Sequence, residues 1–552
     1  MEQDKKYANI VHKQLFDELN KYVPLLKDVR DFINPYLGFF DGDEGKEGTR
    51  KDNELLRTMN IKYSQILAAG LQWGITSPTR PWVKGEIDNK AIMEIPEVQQ
   101  WLYSWATITL DVLSRGRFYQ ENHQAYLEGG VFGNAAMFIE EDDENVINCH
   151  TFTCGEYAFG LDSKKRPNSF ARILSLSPAQ AVEKFGLENL PQNIQNAYKN
   201  NNNNPFKIKH LICPNAKYDK TKIDNKSMMY KEFYWVDGEG QGFIRETGYN
   251  EFPVIILRWQ PVGSEVYATG PGIWSLGDAK QIQLMWRDID IAAELGVNPA
   301  VQAPSDILQS GGINMLPAAI NYYSDVGGNG NKITKLYDVN LDLNSAIAVQ
   351  KEVEECIKAH FNINVFQLLS DMDKGTRTAR EVIELSAEKM SQMGPLLERL
   401  EMDYLPQIIN RVSAICFRRG IYPQPPPELE GRNLKINFTS ILSQAQKQYI
   451  ITPILDTLNN AIVLANGAQK PEILDKINWE QSIDEIASNN GIPPSLIYSD
   501  EYVAQVRQAR AEQMQQQQAM QEGMSLASAS KDLSKADLGS DNALARLIGG
   551  GQ

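Results

Sequence analysis

Two amphipathic stretches of similar length bracket a glycine- and proline-rich insert, and this arrangement limits the architecture more than any other feature of the sequence. In the first, Ile282, Trp286, Ile289 and Ala293 recur at helical spacing to about Glu294. Ser275 is suited to cap this stretch, with Asp278 three residues on, where a carboxylate favours the positive end of a helix. The second stretch, about Asn344 to Phe361, carries Ile347, Gln350, Val353, Ile357 and Phe361 at the same spacing. About 20 helical residues span about 30 Å. Between them, Gly296 to Leu343 holds Gly311-Gly312, Gly327-Gly328 and three prolines, with a β-like piece at Ile333 to Val339. Two antiparallel helices around a small non-helical insert predict a stalk with a tip.

A short link, Val365 to Gly375, leads to a long helix from Thr376, whose apolar stripe runs through Val382, Leu385, Met393, Leu397, Leu400, Leu405, Ile408, Val412 and Ile415 to Arg419. Gly394-Pro395 and Pro406 are expected to bend it, because proline removes a helical hydrogen bond and clashes with the preceding turn. Gly420 should end it, and Pro423 to Pro427 reads as a stiff linker to a strand at Leu434 to Phe438. A helical block from Ser443 to Ala487 and a Gln-rich helix from Ser499 follow, before a Ser/Ala/Gly-rich tail that ends at Gln552.

The N-terminal hundred residues read mainly as helices. Val11, Leu15, Leu19 and Tyr22 form one face before Pro24 interrupts it, Leu55 to Leu71 forms another helix, and Trp101 to Leu113 a third. From Phe132 to about Trp259 the pattern changes to short apolar runs between turns, such as Ala135 to Ile139, Ala171 to Leu176, Glu232 to Val236 and Val254 to Leu257. A helix at Pro178 to Phe185 and an exposed loop at Asn200 to Asn204 interrupt this β-rich part. The fold class is therefore α+β, mainly helical.

Composition narrows function more than fold. The chain of 552 residues is 42% hydrophobic and 23% charged, the balance of a folded protein. Its 55 Lys and Arg against 70 Asp and Glu leave a formal charge of −15, which excludes a clamp that grips nucleic acid over its whole surface, since such binding runs on phosphate neutralisation. No window offers the ~20 apolar residues of a membrane span, and the first residues lack a signal-type apolar region. Five scattered cysteines do not make a disulfide framework.

Catalytic signatures are absent: there is no Gly-x4-Gly-Lys-Ser/Thr, His-Glu-x-x-His, Gly-x-Ser-x-Gly or Cys-x-x-Cys. No catalytic residue, metal or cofactor is expected. One constellation, Cys149-His150 with Cys154 and, further on, His210 with Cys213, has the donor types of a zinc site and supports a rival reading as a metal-dependent hydrolase. Its spacing matches no standard module, and buried cysteines that bind nothing are common. The acidic run Glu140 to Glu144 reads as a solvated turn. Lys374, Arg377 and Arg380 cluster where the link enters the long helix; they form either a basic surface patch or a local phosphate contact.

Several segments together resemble the portal, or head-to-tail connector, proteins of short-tailed bacteriophages. They are Gly70-Leu-Gln-Trp-Gly-Ile-Thr-Ser-Pro-Thr-Arg-Pro-Trp82, Gly130-Val-Phe-Gly-Asn-Ala-Ala136, Pro253-Val-Ile-Ile-Leu-Arg-Trp259, Thr376-Arg-Thr-Ala-Arg-Glu-Val382, Gly394-Pro-Leu-Leu-Glu-Arg-Leu400 and Tyr502-Val-Ala-Gln-Val-Arg-Gln-Ala-Arg510. The resemblance implies a ring, usually of twelve subunits, at one capsid vertex. It implies a wing over 1–274, a first stem helix over 275–295, a clip over 296–343, a second stem helix over 344–362, a tunnel loop over 363–375, a kinked wing helix and strand over 376–440, and a crown and C-terminal helical region over 441–552. Stem packing between subunits would fall to Ile282, Trp286, Ile289, Val353 and Ile357, and DNA-facing positions to Lys374, Arg377 and Arg380. The implied partners are further copies of the chain, double-stranded DNA, the major capsid protein, scaffolding protein, the terminase large subunit and tail adaptor proteins, with no membrane. The implied location is the portal vertex of the virion, after synthesis in the host cytoplasm. A tail adaptor is the structural rival, and the chain is long for one.

Overall fold

A computed structural model describes residues 2–43, 48–93, 95–222, 224–237, 242–297, 301–302, 334–335, 343–366, 393–432, 434–439, 441–468, 470–479, 481–483, 486 and 500–535. The chain divides into two units, one of residues 1–85, 103–424 and 435–455, the other of residues 86–102, 425–434 and 456–552.

The helices before the sheets are α1 (Glu2–Asn20), α2 (Val23–Ile33), α3 (Met59–Gly74), the single turn α4 (Lys90–Met93), α5 (Pro96–Arg115) and α6 (Phe118–Phe132). Pro24 does not interrupt an ongoing helix, as the sequence suggested. It sits in the first turn of α2, where its missing N–H would be unpaired in any case. The core of the first unit forms around α6. All of its last eight residues, Ala125 to Phe132, are buried, with Phe118 and Asn122. Gly133 ends the helix with φ of +78°, and a Cβ there would lie 2.3 Å from the Ala268 carbonyl oxygen. That left-handed turn feeds the chain directly into the first strand of the neighbouring sheet.

Two antiparallel sheets follow, and the first packs against this helix. One has the order β3-β2-β9, from β2 (Asn134–Asp142), β3 (Val146–Phe152) and β9 (Val254–Arg258). Its register pairs Met137 with Thr151 on one side and with Ile255 on the other. The second has the order β4-β5-β6-β7-β8, from β4 (Tyr157–Leu161), β5 (Pro167–Leu176), β6 (Phe206–Pro214), β7 (Tyr230–Trp235) and β8 (Arg245–Tyr249). One face of this sheet buries Ala171, Leu211, Cys213, Phe233 and Trp235 under Ala8, Val11, Leu15 and Phe16 of α1. Another cluster, including Ile208, Tyr234 and Val236, packs against Ala181 and Phe185 of α7 (Pro178–Phe185) and Ile194 of α8 (Gln192–Lys199). Ser177 and Gln180 close a reciprocal capping box at the start of α7. The mixed α+β class is as the sequence predicts.

After the single turn α9 (Pro271–Trp274) come α10 (Leu276–Val297) and α11 (Leu343–His360), which pack together as a hairpin. Their bounds lie within three residues of the sequence reading. Ser275, however, is not a side-chain cap. Its hydroxyl donates back to the Pro271 carbonyl at 2.8 Å and its own carbonyl accepts from Ala279, so α9 runs almost continuously into α10. Between the helices, β10 (Val301–Gln302) pairs with β11 (Thr334–Lys335). Gly296, Val297 and Leu343 of the predicted clip belong to the two helices, and its remaining positions lie outside the described residues.

The long kinked helix is described from residue 393. Its bend is a π-helical turn, Leu400–Tyr404, in which the Leu405 N–H bonds to the Leu400 carbonyl. The widened turn absorbs Pro406, which lacks an N–H, at the start of α12 (Leu405–Arg418). Gly420 then ends the helix as expected, with the Ile421 N–H returning to the Cys416 carbonyl at 3.0 Å. β12 (Lys435–Phe438) pairs with β1 (Val83–Glu86), where Phe438 stacks on Trp82. Beyond it lie α13 (Ile441–Ala468) and α14 (Asp500–Lys535).

Candidate functional site

The α10–α11 hairpin is the element with most chemistry on show, and its base is tied to the body by polar clamps. Gln283, buried on α10, accepts the Leu56 and Arg57 N–H groups at 2.9 and 3.1 Å and donates to the Arg57 carbonyl at 2.9 Å. One side-chain amide thus pins a passing strap of backbone as a neighbouring strand would. The Arg57 guanidinium lies over the Trp286 ring, 4.2 Å from its centroid, and reaches Asp290 at 3.7 Å. From α11, Glu354 accepts the Tyr63 hydroxyl of α3 at 2.6 Å and pairs with Lys358 at 2.9 Å. Burial alone would raise the Glu354 carboxyl, yet Tyr63 and Lys358 hold it below its ordinary value. Asp278 faces His360 at 3.8 Å across the two helices.

The turn that leaves α11 is equally fixed. Asn362 takes a left-handed backbone with φ of +52°, and Phe361, Ile363, Val365 and Phe366 are all buried. Phe366 lies flat on Gly70 of α3, where a Cβ would come within 2.2 Å of its ring. This close approach explains a glycine in the interior of a helix and accounts for Gly70 in the Gly70-Leu-Gln-Trp-Gly74 motif.

The residues assigned to packing between subunits fare unequally. Ile282 and Ile357 are buried inside their own chain and have no side-chain surface left for a neighbour. Within the chain, the buried positions of each stripe close the hairpin and its seat on the body. Trp286 is half-buried beneath Arg57, and Ile289 and Val353 are half-buried. Apolar area is exposed at Leu284, 51%, Ile291, 47%, and Val349, 50%, as well as at Ile347 and at Val297 near the hairpin's far end. The sequence carried a signal for Leu284, Ile291 and Val349, a weaker stripe offset from the main one. Lys374, Arg377 and Arg380 lie outside the described residues.

The Cys/His group does not gather. Cys149 and His150 are adjacent on β3 and His210 and Cys213 are three apart on β6, odd separations that send each pair to opposite faces of its sheet. Among the described residues no three His, Cys, Asp or Glu side chains are placed to hold a metal ion. Both His210 nitrogens are already engaged. Nδ1 accepts the Arg172 Nε–H at 3.0 Å, which leaves Nε2 as the donor to Glu232 at 2.9 Å. Glu232 also accepts from Tyr234 and Tyr249, both at 3.0 Å, and from Thr247 at 2.5 Å. This is a closed polar knot between strands β5 to β8. Burial pushes the His210 pKa down to about 4, with the Arg172 charge adding to the effect. Burial would raise Glu232, but His210, Thr247 and Arg245 together bring it to about 2. Burial also raises the thiols of Cys149, Cys154 and Cys213, the last to about 11, and keeps them inert.

The acidic run has a structural use that the solvated-turn reading missed. Glu140 to Asp142 belong to β2, and Glu141 meets Arg418 at 2.6 Å while Asp143 meets Arg419 at 3.1 Å. Glu251 completes the set by accepting from Arg411, which is buried, and from Arg418, each at 2.8 Å. These pairs hold α12 to the end of β2 and to the turn between β8 and β9. Among the described residues no helix is long and apolar enough to cross a membrane.

A mixed α+β body carrying this clamped hairpin belongs to the bacteriophage head-to-tail connecting proteins, whose family model matches residues 5–497. The chain is 30% identical over 537 residues to the portal protein of Salmonella phage epsilon15, covering 97% of this chain and 96% of that one. It is 31% identical over 504 residues to the probable portal protein of Bordetella phage BPP-1, covering 91% of this chain and 90% of its relative.

Proposed function

We propose that this chain is a portal subunit. Copies assemble into a ring at one capsid vertex, double-stranded DNA passes through the central channel during packaging and ejection, and the ring joins head to tail. The observation that carries this reading is end-to-end similarity to two proteins named as portal or probable portal proteins. The hairpin α10–α11 fits the stem of such a ring, since its inner stripes are used within the chain while apolar residues on its outer faces stay exposed.

On this reading the protein is a conduit with no catalytic residue and no cofactor. The energy for packaging comes from the terminase large subunit docked at the clip, and the capsid protein, scaffolding protein and tail adaptors are the other partners. Lys374, Arg377 and Arg380 act as DNA-facing positions of the tunnel loop. Negative-stain imaging and native mass measurement of the purified full chain test the proposal. Closed rings of many copies are expected, and a monomer under every salt condition would overturn it.

A further inference from the structure

Each helix of the hairpin carries, besides its buried line, a second line of residues that is exposed among the described residues. On α10 and the turn before it these are Trp274, Gly277, Gln281, Leu284, Asp288 and Ile291, all exposed. On α11 they are Ser345, Val349, Glu352, Cys356 and Ala359, also all exposed. Both lines alternate steps of three and four residues, the 3.5-residue period that lets one helix lie along another with knobs in holes. The first line offers large side chains, with Trp274 39% exposed beside Leu284 and Ile291. The second is built mostly of small ones.

Heights along the hairpin follow from the Asp278–His360 contact. Six residues up α10 from Asp278 is Leu284, and six residues back along α11 from His360 is Glu354, two positions from Cys356. Thirteen residues in each direction reach Ile291 and Ile347, two positions from Val349. At 1.5 Å per residue, each large residue stands within about 3 Å of the height of a small one. The charges flanking the lines also match. Nine residues from each end lie Arg287 and Lys351, so Arg287 is within one residue of Glu352 in height and Asp288 within one residue of Lys351. All four are exposed. Because Leu284 and Cys356 are exposed in the single chain, the two lines do not cover each other there.

We infer that the occupant of each line is a second copy of this chain: the Leu284/Ile291 line of one copy packs into the Val349/Cys356 line of the next, with Arg287 facing Glu352 and Lys351 facing Asp288. Such a contact joins unlike surfaces, so it repeats from copy to copy instead of stopping at a dimer, and gives a ring where the rotation closes. The seam rests on the ring reading proposed above.

Cys356 is the one exposed thiol among the five cysteines, which permits a direct test. The full chain carrying Leu284→Cys is treated with a short bismaleimide, whose reach tolerates the roughly 3 Å offset, then denatured and sized on a gel while a parallel sample is imaged. A ladder of covalent multimers that vanishes when Cys356→Ser is added is the expected result. Ile291→Cys with Val349→Cys in the Cys356→Ser background should restore the ladder. Rings without either ladder, or a crosslink confined to the monomer band, overturn the seam and leave the ring reading standing. Monomers alone overturn both.

Discussion

Two buried carboxyls show how differently one residue type is used within a single domain. Glu232 accepts from His210, Tyr234, Tyr249 and Thr247 and stays ionised with its pKa at about 2. Glu128, also fully buried, accepts the Thr153 hydroxyl at 2.7 Å and the Cys154 N–H at 3.1 Å, and burial lifts it to about 7. The difference lies in the surroundings: the His210 N–H, the Thr247 hydroxyl and the Arg245 cation act on Glu232, whereas Glu156 adds further negative charge near Glu128. The pH dependences therefore oppose each other. His210, lowered from 6.5 to about 4, contributes stability that is present above pH 6.5 and is lost as pH falls towards 4. The Glu232 contribution is present above about pH 4.5 and is lost as pH falls towards 2. The Glu128 contribution is present below pH 4.5 and is lost as pH rises towards 7. Denaturation midpoints at pH 7.5, 6 and 5 check this. Glu128→Gln should lose stability more steeply on acidification than the parent chain, because the opposing term is gone. A parallel pH profile for the two proteins would show that Glu128 keeps its charge throughout that range.

At the scale of elements, the difference between buried and exposed lines on one helix separates folding from assembly. Ile357→Ala removes a side chain buried in the hairpin and should cost about 2–5 kcal/mol of stability, as large-to-small core changes do. Leu284→Asp alters an exposed position and should leave the subunit's unfolding midpoint nearly unchanged while it abolishes higher assemblies. Chemical denaturation paired with size analysis distinguishes the two effects, and equal losses of stability would contradict the division. The same contrast explains what was legible in the sequence. The hairpin, α7, α12 and most long strands were readable because each keeps one apolar face. Helix α6 was not, because it is buried almost all round and has no stripe, and Gly129-Gly130 reads as a breaker until neighbouring side chains are seen against it. The main stripes of the hairpin suggested a contact between subunits, but periodicity shows only that a face is covered and not by what. The Gln283 clamp and the Arg57–Trp286 contact join residues more than 220 positions apart, which no local pattern encodes.

For the whole molecule the net charge sets the terms on which DNA can be handled. At −15 per copy, a ring of twelve would carry about −180, and a duplex entering it gains nothing from general counterion release. On the proposed reading an acidic wall would keep a moving duplex from adhering, while a few local cations would suffice for contact. Basic side chains within the described residues are often committed elsewhere, as with Arg411 and Arg418 on Glu251 and Arg57 on Trp286 and Asp290. The segment from Lys374 to Arg380 is the candidate that the sequence leaves for local contact. The purified ring is expected not to retard linear duplex DNA in a mobility-shift assay at 150 mM salt. Replacing Lys374, Arg377 and Arg380 together by Gln should leave ring size unchanged but lower the DNA retained in filled heads, measured as genome copies per particle. Tight, steeply salt-dependent binding by the parent ring would mean that the acidity does not govern the channel, and normal DNA content in the triple variant would remove the tunnel-loop role from these three residues.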